Sequence, residues 1–223
     1  MTWVKICGIR NLEDALVAVD AGADALGFVF YEKSPRKVDV ETAREIVTKL
    51  PEKVEKVGVF VDQAVDEIRA IAEKSEFTAV QVHGKPLTDQ IWKDTRKAVE
   101  CLGVSKIIPV VAGSSLENGG ALINQRIRES VFAVLIDAGT NGVGGTGRRF
   151  DWQATKGMVQ SLGFMVPIIV AGGLTAGNVG EAIGLFQPFG VDVASGVEAR
   201  PGKKDPEKVR AFVQAVRAAE KSS

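Results

Sequence analysis

The sequence predicts an α/β fold, a closed (β/α)8 barrel forming one domain over residues 1–223, on three observations. Short β-branched runs alternate with amphipathic helical stretches along the whole chain, eight of each. Most of the runs lack polar alternation, the pattern of strands buried on both faces of a parallel sheet. Eight such units in 223 residues fit the small end of the barrel's size range, and no Pro/Ser-rich linker divides them. A doubly wound open sheet is the rival arrangement.

The strands are expected at 3–7, 25–29, 54–61, 79–82, 106–111, 131–137, 167–171 and 191–194. Helices are expected near 11–21, 40–50, 64–75, 88–100, 119–129, 152–162, 176–187 and 205–221. Asn11 with Asp14 suits the start of the first helix and Gly22 its C′ position. Asp205-Pro206 sets an N-cap before a proline in the first turn of the last helix. The fifth helix has glycines at its start and little periodicity. Trp3, Trp92 and Trp152 read as packing residues, and Cys101, between a helix and Leu102-Gly103, as structural.

Composition narrows the function. Lys plus Arg equals Asp plus Glu, at 28 each, and the basic residues are dispersed, so no field draws the chain to nucleic acid or a membrane surface. No apolar run is long enough for a membrane span, and the first residues lack a secretory pattern. Two cysteines give no disulfide framework. A reduced cytoplasmic enzyme, monomer or homodimer, is the expectation.

A barrel of this kind works at the C-terminal ends of its strands. Those positions hold Cys7, Ser34-Pro35-Arg36, His83-Gly84, Asp137, Ala171-Gly172-Gly173 and Ser195-Gly196. Gly172-Gly173 and Ser195-Gly196 follow the last two strands, where backbone N–H groups beside glycines cradle phosphate. Either turn alone reads as an ordinary tight βα connection; together they predict a phosphorylated small-molecule substrate. Gly142 to Gly147 matches G-x-G-x-x-G, but four residues separate it from the strand ending at Asp137, and no acid ends the next strand. It therefore fails the dinucleotide fingerprint, and the 138–149 segment reads as a loop over the site.

Cys7 is either a packed thiol or a reactive one. Lys5 shares its strand face and favours the thiolate, unless a carboxylate elsewhere takes the ammonium. Asp137 ends the apolar run Val134-Leu135-Ile136, where an unpartnered carboxylate is rare. A cysteine base facing a carboxylic acid makes a general acid–base pair. Arg36 is either a solvated loop residue or a bidentate anion ligand. His83 either binds ligand or packs at the rim. One histidine and scattered carboxylates argue against a metal site.

The string Val4-Lys5-Ile6-Cys7-Gly8-Ile9 resembles the N-terminal signature of the phosphoribosylanthranilate isomerases, TIM-barrel enzymes of tryptophan biosynthesis. Gly27-Phe28, Ser34-Pro35-Arg36, Val59-Phe60-Val61, Val80-Gln81-Val82-His83-Gly84 and Asp137 continue the match. So do Gly144-Gly145-Thr146-Gly147, Phe150-Asp151-Trp152, Ala171-Gly172-Gly173-Leu174, Asn178-Val179, Asp192-Val193, Ser195-Gly196-Val197-Glu198 and Pro201 to Asp205. Val82, where leucine is commoner, and a long 113–129 stretch depart from the pattern. The resemblance implies a cofactor-free, metal-free Amadori rearrangement of N-(5-phosphoribosyl)anthranilate. It implies Asp137 as general acid, Cys7 as general base, and Arg36 on the anthranilate carboxylate. Gly172, Gly173, Ser195 and Gly196 fall to the phosphate, and His83 and Asp192 to the site lining. Rival readings are another phosphosugar barrel enzyme, or a barrel that binds a phosphosugar without turning it over.

Overall fold

The computed structural model describes residues 1–83, 104–113, 131–137 and 151–221. Eight strands close into one barrel in chain order, each described pair parallel. They are β1 (Trp3–Cys7), β2 (Ala25–Val29), β3 (Glu55–Val61), β4 (Ala79–His83), β5 (Lys106–Ala112), β6 (Val134–Asp137), β7 (Ile168–Val170) and β8 (Gly190–Val193). The helices described are α1 (Leu12–Asp20), α2 (Val40–Val47), α3 (Val65–Ser75), α4 (Trp152–Gly163), α5 (Val179–Phe186) and α6 (Pro206–Glu220). Closure between β1 and β8 rules out the open doubly wound sheet. The helices expected at 88–100 and 119–129, the 138–149 loop, Gly84, Trp92 and Cys101 lie outside the described residues.

Local signals act as the sequence suggests. Asn11 caps α1 by accepting from the Asp14 amide, and Gly22 leaves the helix at φ +95°. Asp205 accepts from the Glu207 and Lys208 amides ahead of Pro206. After β8, however, the chain makes a 3₁₀ turn at Ser195–Val197 and an antiparallel pair, β9 (Glu198–Arg200) and β10 (Lys203–Lys204). The Pro201-Gly202 turn joining them is a readable signal, with Gly202 at φ +80°. Strands of three and two residues are too short to carry a period.

Strand alternation sorts the chain into two hydrophobic layers. Val4, Ile6, Leu26, Phe28 and Phe60 face outward and pack under the helices. Phe28 and Phe30 stack with Phe77 and Phe60 between the second and third units, with ring centroids 5.3–5.6 Å apart. Ala25, Val57, Ala79, Ile108, Leu135 and Ile169 fill the barrel interior. Below them Trp3, Phe132 and Phe189 close the N-terminal end, centroids 5.5–6.1 Å apart. Trp152 packs edge-on against Phe186, so Trp3 and Trp152 are both packing residues. Among the described residues no helix is long and apolar enough to cross a membrane.

The outer layer gives a stability prediction. Phe28 is fully buried against Phe77, so Phe28→Ala opens a cavity in the outer layer. It is expected to lower unfolding free energy by about 3–5 kcal/mol, read as a lower urea midpoint; a loss under about 1 kcal/mol contradicts the packing described.

Candidate active site

Inward positions of β1 place Lys5 and Cys7 one above the other, and the partner strands supply what surrounds them. Register sets Asp192 of β8 opposite Lys5, and Gly27 of β2 opposite Cys7. Lys5 Nζ donates to Asp192 Oδ1 at 2.9 Å, inside the barrel and fully buried. The carboxylate left open for Lys5 in the sequence is therefore Asp192. Gly27 is bare because a Cβ there would lie 2.8 Å from Cys7 Sγ and 3.0 Å from Lys5 Nζ.

The thiol is buried, with 7 % of its surface accessible. Burial pushes its pKa up, Lys5 and Lys204 pull it down, and Asp192 pushes it up again; the balance is a raised value. The expected pull of Lys5 is present, and what is corrected is the net direction. The Lys5 ammonium does favour the thiolate, but desolvation and the Asp192 charge outweigh it. Burial also opposes the charge on Lys5, yet Asp192 and Cys7 hold its pKa above the ordinary lysine value.

Gly8 turns the chain after Cys7 at φ +83°, and the Arg36 stem lies across it: a Cβ on Gly8 would meet Arg36 Cδ at 2.7 Å. Arg36 is buried rather than solvated. Its Nε and Nη2 donate to Glu198 Oε1 and Oε2, each at 2.8 Å. Lys204 Nζ donates to Glu198 Oε1 and to the Ala194 carbonyl, both at 3.1 Å. Desolvation works against the Glu198 carboxylate, but Arg36 and Lys204 hold its pKa below the usual range. Burial lowers the Lys204 pKa despite Glu198.

Gly172 and Gly173 take φ +89° and +64° in succession, a conformation that favours glycine at both. Asn178 braces this turn, accepting from the Thr175 amide at 2.8 Å and donating to the Gly173 carbonyl at 3.0 Å. The turn after β8 rests directly on it, since a Cβ on Gly196 would fall 1.9 Å from the Leu174 carbonyl oxygen. On β4, Gln81 and His83 share the inner face, with their Nε2 atoms 2.9 Å apart. The Gln81 Oε1 is buried without a hydrogen-bond partner among the described residues. Asp137 is buried at the last position of β6, opposite Ala112.

One cavity of about 340 Å³ is lined by Cys7, Arg36, His83, Asp137, Gly172, Gly173, Asp192 and Ser195. Gly196 is not among its lining residues; it seats one glycine turn on the other. Tyr31, Lys33 and Gln81 also line the cavity and were missed in the sequence, as was the support from Glu198 and Lys204. Gln81 had a usable signal, two positions before His83 on one strand face. Glu198 and Lys204 stood in strings that match the family, but their contact with Arg36 has no signal without the β9–β10 hairpin.

The polar side chains converge on the C-terminal ends of the strands, where barrel enzymes bind small molecules. Fold and site together define the class: a (β/α)8-barrel enzyme. The family described as N-(5'-phosphoribosyl)anthranilate (PRA) isomerase matches residues 4–215. The N-(5'-phosphoribosyl)anthranilate isomerase of Geotalea uraniireducens is 44 % identical over 216 residues, 96 % of this chain and 98 % of the relative. That of Thermotoga petrophila is 41 % identical over 214 residues, 96 % and 98 % of the two chains. A crystal structure of phosphoribosyl anthranilate isomerase from Thermotoga maritima superposes with a TM-score of 0.81 at 39 % identity, covering 98 % of this chain and 100 % of that one. Another, in complex with reduced 1-(o-carboxyphenylamino)-1-deoxyribulose 5-phosphate, gives 0.78 at 37 % identity over 98 % and 100 %. The chain belongs to the N-(5'-phosphoribosyl)anthranilate isomerase family.

The charges around Cys7 predict opposite shifts for two substitutions. In a Cys101→Ser background, Lys5→Met should move the pH profile of Cys7 alkylation by iodoacetamide to higher pH. Asp192→Asn should move it to lower pH, because the carboxylate that opposes the thiolate is gone. Coincident profiles for all three proteins would sink this account of the thiol.

Proposed function

We propose that this isomerase converts N-(5-phosphoribosyl)anthranilate to 1-(2-carboxyphenylamino)-1-deoxyribulose 5-phosphate with Asp137 as general acid and Cys7 as general base. The observation that carries the assignment is a thiol and a carboxylic residue from opposite sides of the barrel lining one cavity. The protonated Asp137 gives its proton to the furanose ring oxygen. The bond from that oxygen to C1′ breaks, and the anthranilate nitrogen lone pair forms the C1′=N iminium. The Cys7 thiolate then takes the proton from C2′, and that electron pair closes the C1′=C2′ bond and neutralises the iminium. The resulting enolamine tautomerises, with a proton returning to C1′ and leaving the C2′ hydroxyl, to give the ketone. Only protons move, so the sequence of steps balances without hydride, oxidant or metal.

The rest of the cavity suits the ends of this substrate. Two of the five guanidinium donors of Arg36 are held by Glu198, which fixes the fork while the others serve the anthranilate carboxylate. The turns at Gly172-Gly173 and Ser195-Gly196 take the phosphate through backbone N–H groups. The lining residues His83 and Asp192, with the open amide oxygen of Gln81, meet the ribulose hydroxyls. Lys5 keeps the thiolate accessible in a buried place, and the apolar wall of Val29 and Val59 beside Cys7 limits water. The reaction belongs to tryptophan biosynthesis in the cytoplasm. A Thermotoga maritima relative is described as dimeric, and monomer or homodimer are the two assemblies expected of this chain, which sedimentation distinguishes.

Turnover is followed by loss of anthranilate fluorescence from fresh substrate. Cys7→Ala and Asp137→Ala should each lose at least ~100-fold in kcat while still binding a product analogue. Because burial raises the thiol pKa, kcat/KM of the wild type should climb with pH through neutrality as the thiolate population grows. An inert wild type, or a Cys7→Ala variant of full activity, refutes the assignment.

A further inference from the structure

The carboxylate of Glu198 is the centre of a buried cluster that the mechanism itself does not use. Arg36 Nε and Nη2 donate to its two oxygens at 2.8 Å, Lys204 Nζ at 3.1 Å and the Gly202 amide at 3.3 Å. Lys208 Nζ donates to the Glu198 backbone carbonyl at 2.9 Å. Lys204 spends a second bond on the carbonyl of Ala194, which lines the cavity immediately before Ser195. The same hairpin reaches the loop after β2 through Gly202, whose missing Cβ would lie 2.7 Å from the Pro35 carbonyl oxygen. One compact unit therefore joins the loop that carries Arg36 to the turn that carries Ser195.

We propose that Glu198 and Lys204 are positioning residues that fix Arg36 relative to the turn after β8, so that the two anionic ends of the substrate are held at one set distance. The proposal rests on the reading above, in which Arg36 takes the carboxylate and the turn takes the phosphate. Its physical basis is geometric. A buried ion cluster is a costly way to add stability, since well-packed apolar residues of the same volume do as well or better. What the cluster supplies is orientation, because a bidentate fork has one geometry and Lys204 ties its acceptor to the Ala194 carbonyl. Two positive groups share one carboxylate, and of the three side chains Arg36 is the one that lines the cavity, where an anion can meet it.

The test uses inhibition constants for two analogues. One is reduced 1-(o-carboxyphenylamino)-1-deoxyribulose 5-phosphate, and the other is the same molecule lacking the carboxyl group. In the wild type, loss of the carboxyl should weaken binding by about 10- to 100-fold. In Glu198→Gln that ratio should fall below about threefold, and in Lys204→Met it should fall at least about threefold from the wild-type value. Inorganic phosphate, which spans no distance, should inhibit all three proteins within about twofold of one another. Lys204→Met leaves Arg36 and Glu198 paired, so it reports even if Glu198→Gln does not fold. A large wild-type ratio that persists in the variants, or equal weakening of both analogues and phosphate, overturns the positioning role. A wild-type ratio near one removes the Arg36–carboxylate reading itself, and the proposal falls with it.

Discussion

The ion pair between Lys5 and Asp192 is the interaction on which the rest of the site depends. It lies inside the barrel, out of water, and joins the first strand to the last. A lone ammonium there would be untenable, and a lone carboxylate nearly so; each is acceptable only because register sets the other beside it. Barrel closure and site assembly are thus one event. A slip of one residue in the β1–β8 register would turn one of the two side chains outward, losing the pair. Cys7 is the next inward residue of β1, so its electrostatics are fixed by the same closure. The thiol sits between a cation that favours its anion and a carboxylate that opposes it, in a setting that desolvates all three.

The second constraint is close approach of backbone, and the glycines follow from it. Gly27 leaves room for the thiol and ammonium, Gly8 for the stem of Arg36, and Gly196 for the Leu174 carbonyl. The last contact means that the two turns expected to hold one phosphate are themselves in contact. Such a site is rigid through packing as well as hydrogen bonding, as a site that must register several groups at once requires.

Much of this was legible in the sequence, for identifiable reasons. Strands such as Ala25–Val29 and Ile168–Val170 are buried along their whole length, and a closed parallel sheet writes that as unbroken apolar runs. Caps at Asn11 and Asp205 are local, so they could be read locally. Cys7, Asp137 and the glycine turns stood out because polar or bare positions ended apolar strands. What escaped was long-range. Nothing near Lys5 in the chain names Asp192 as its partner, 187 residues away, and nothing near Arg36 names Glu198, 162 residues away. The upward net shift of the thiol escapes a sequence reading for the same reason. The favourable neighbour was visible two residues off, while the opposing charge and the burial were not.

The distribution of polarity along the barrel axis explains how one small fold carries such a site. At the N-terminal end Trp3, Phe132 and Phe189 make an aromatic plug, and above it aliphatic side chains fill the interior. Lys106, paired with Glu55, lies over the Phe132 ring at the bottom, and Lys5 and Asp192 bring a second, more deeply buried pair into the interior. Above that level Gln81, His83, Asp137 and Cys7 bring polar side chains to the mouth of the barrel. Apolar packing is thereby concentrated in the lower barrel, and polar side chains gather at the C-terminal mouth. The Arg36–Glu198–Lys204 cluster extends this division sideways. Its interior contacts are satisfied by the protein, and only its outer face looks toward the cavity. On the proposed reading, a substrate with an anion at each end meets the Arg36 fork at one end and the glycine turns at the other, which leaves its reacting carbons between them, near the thiol.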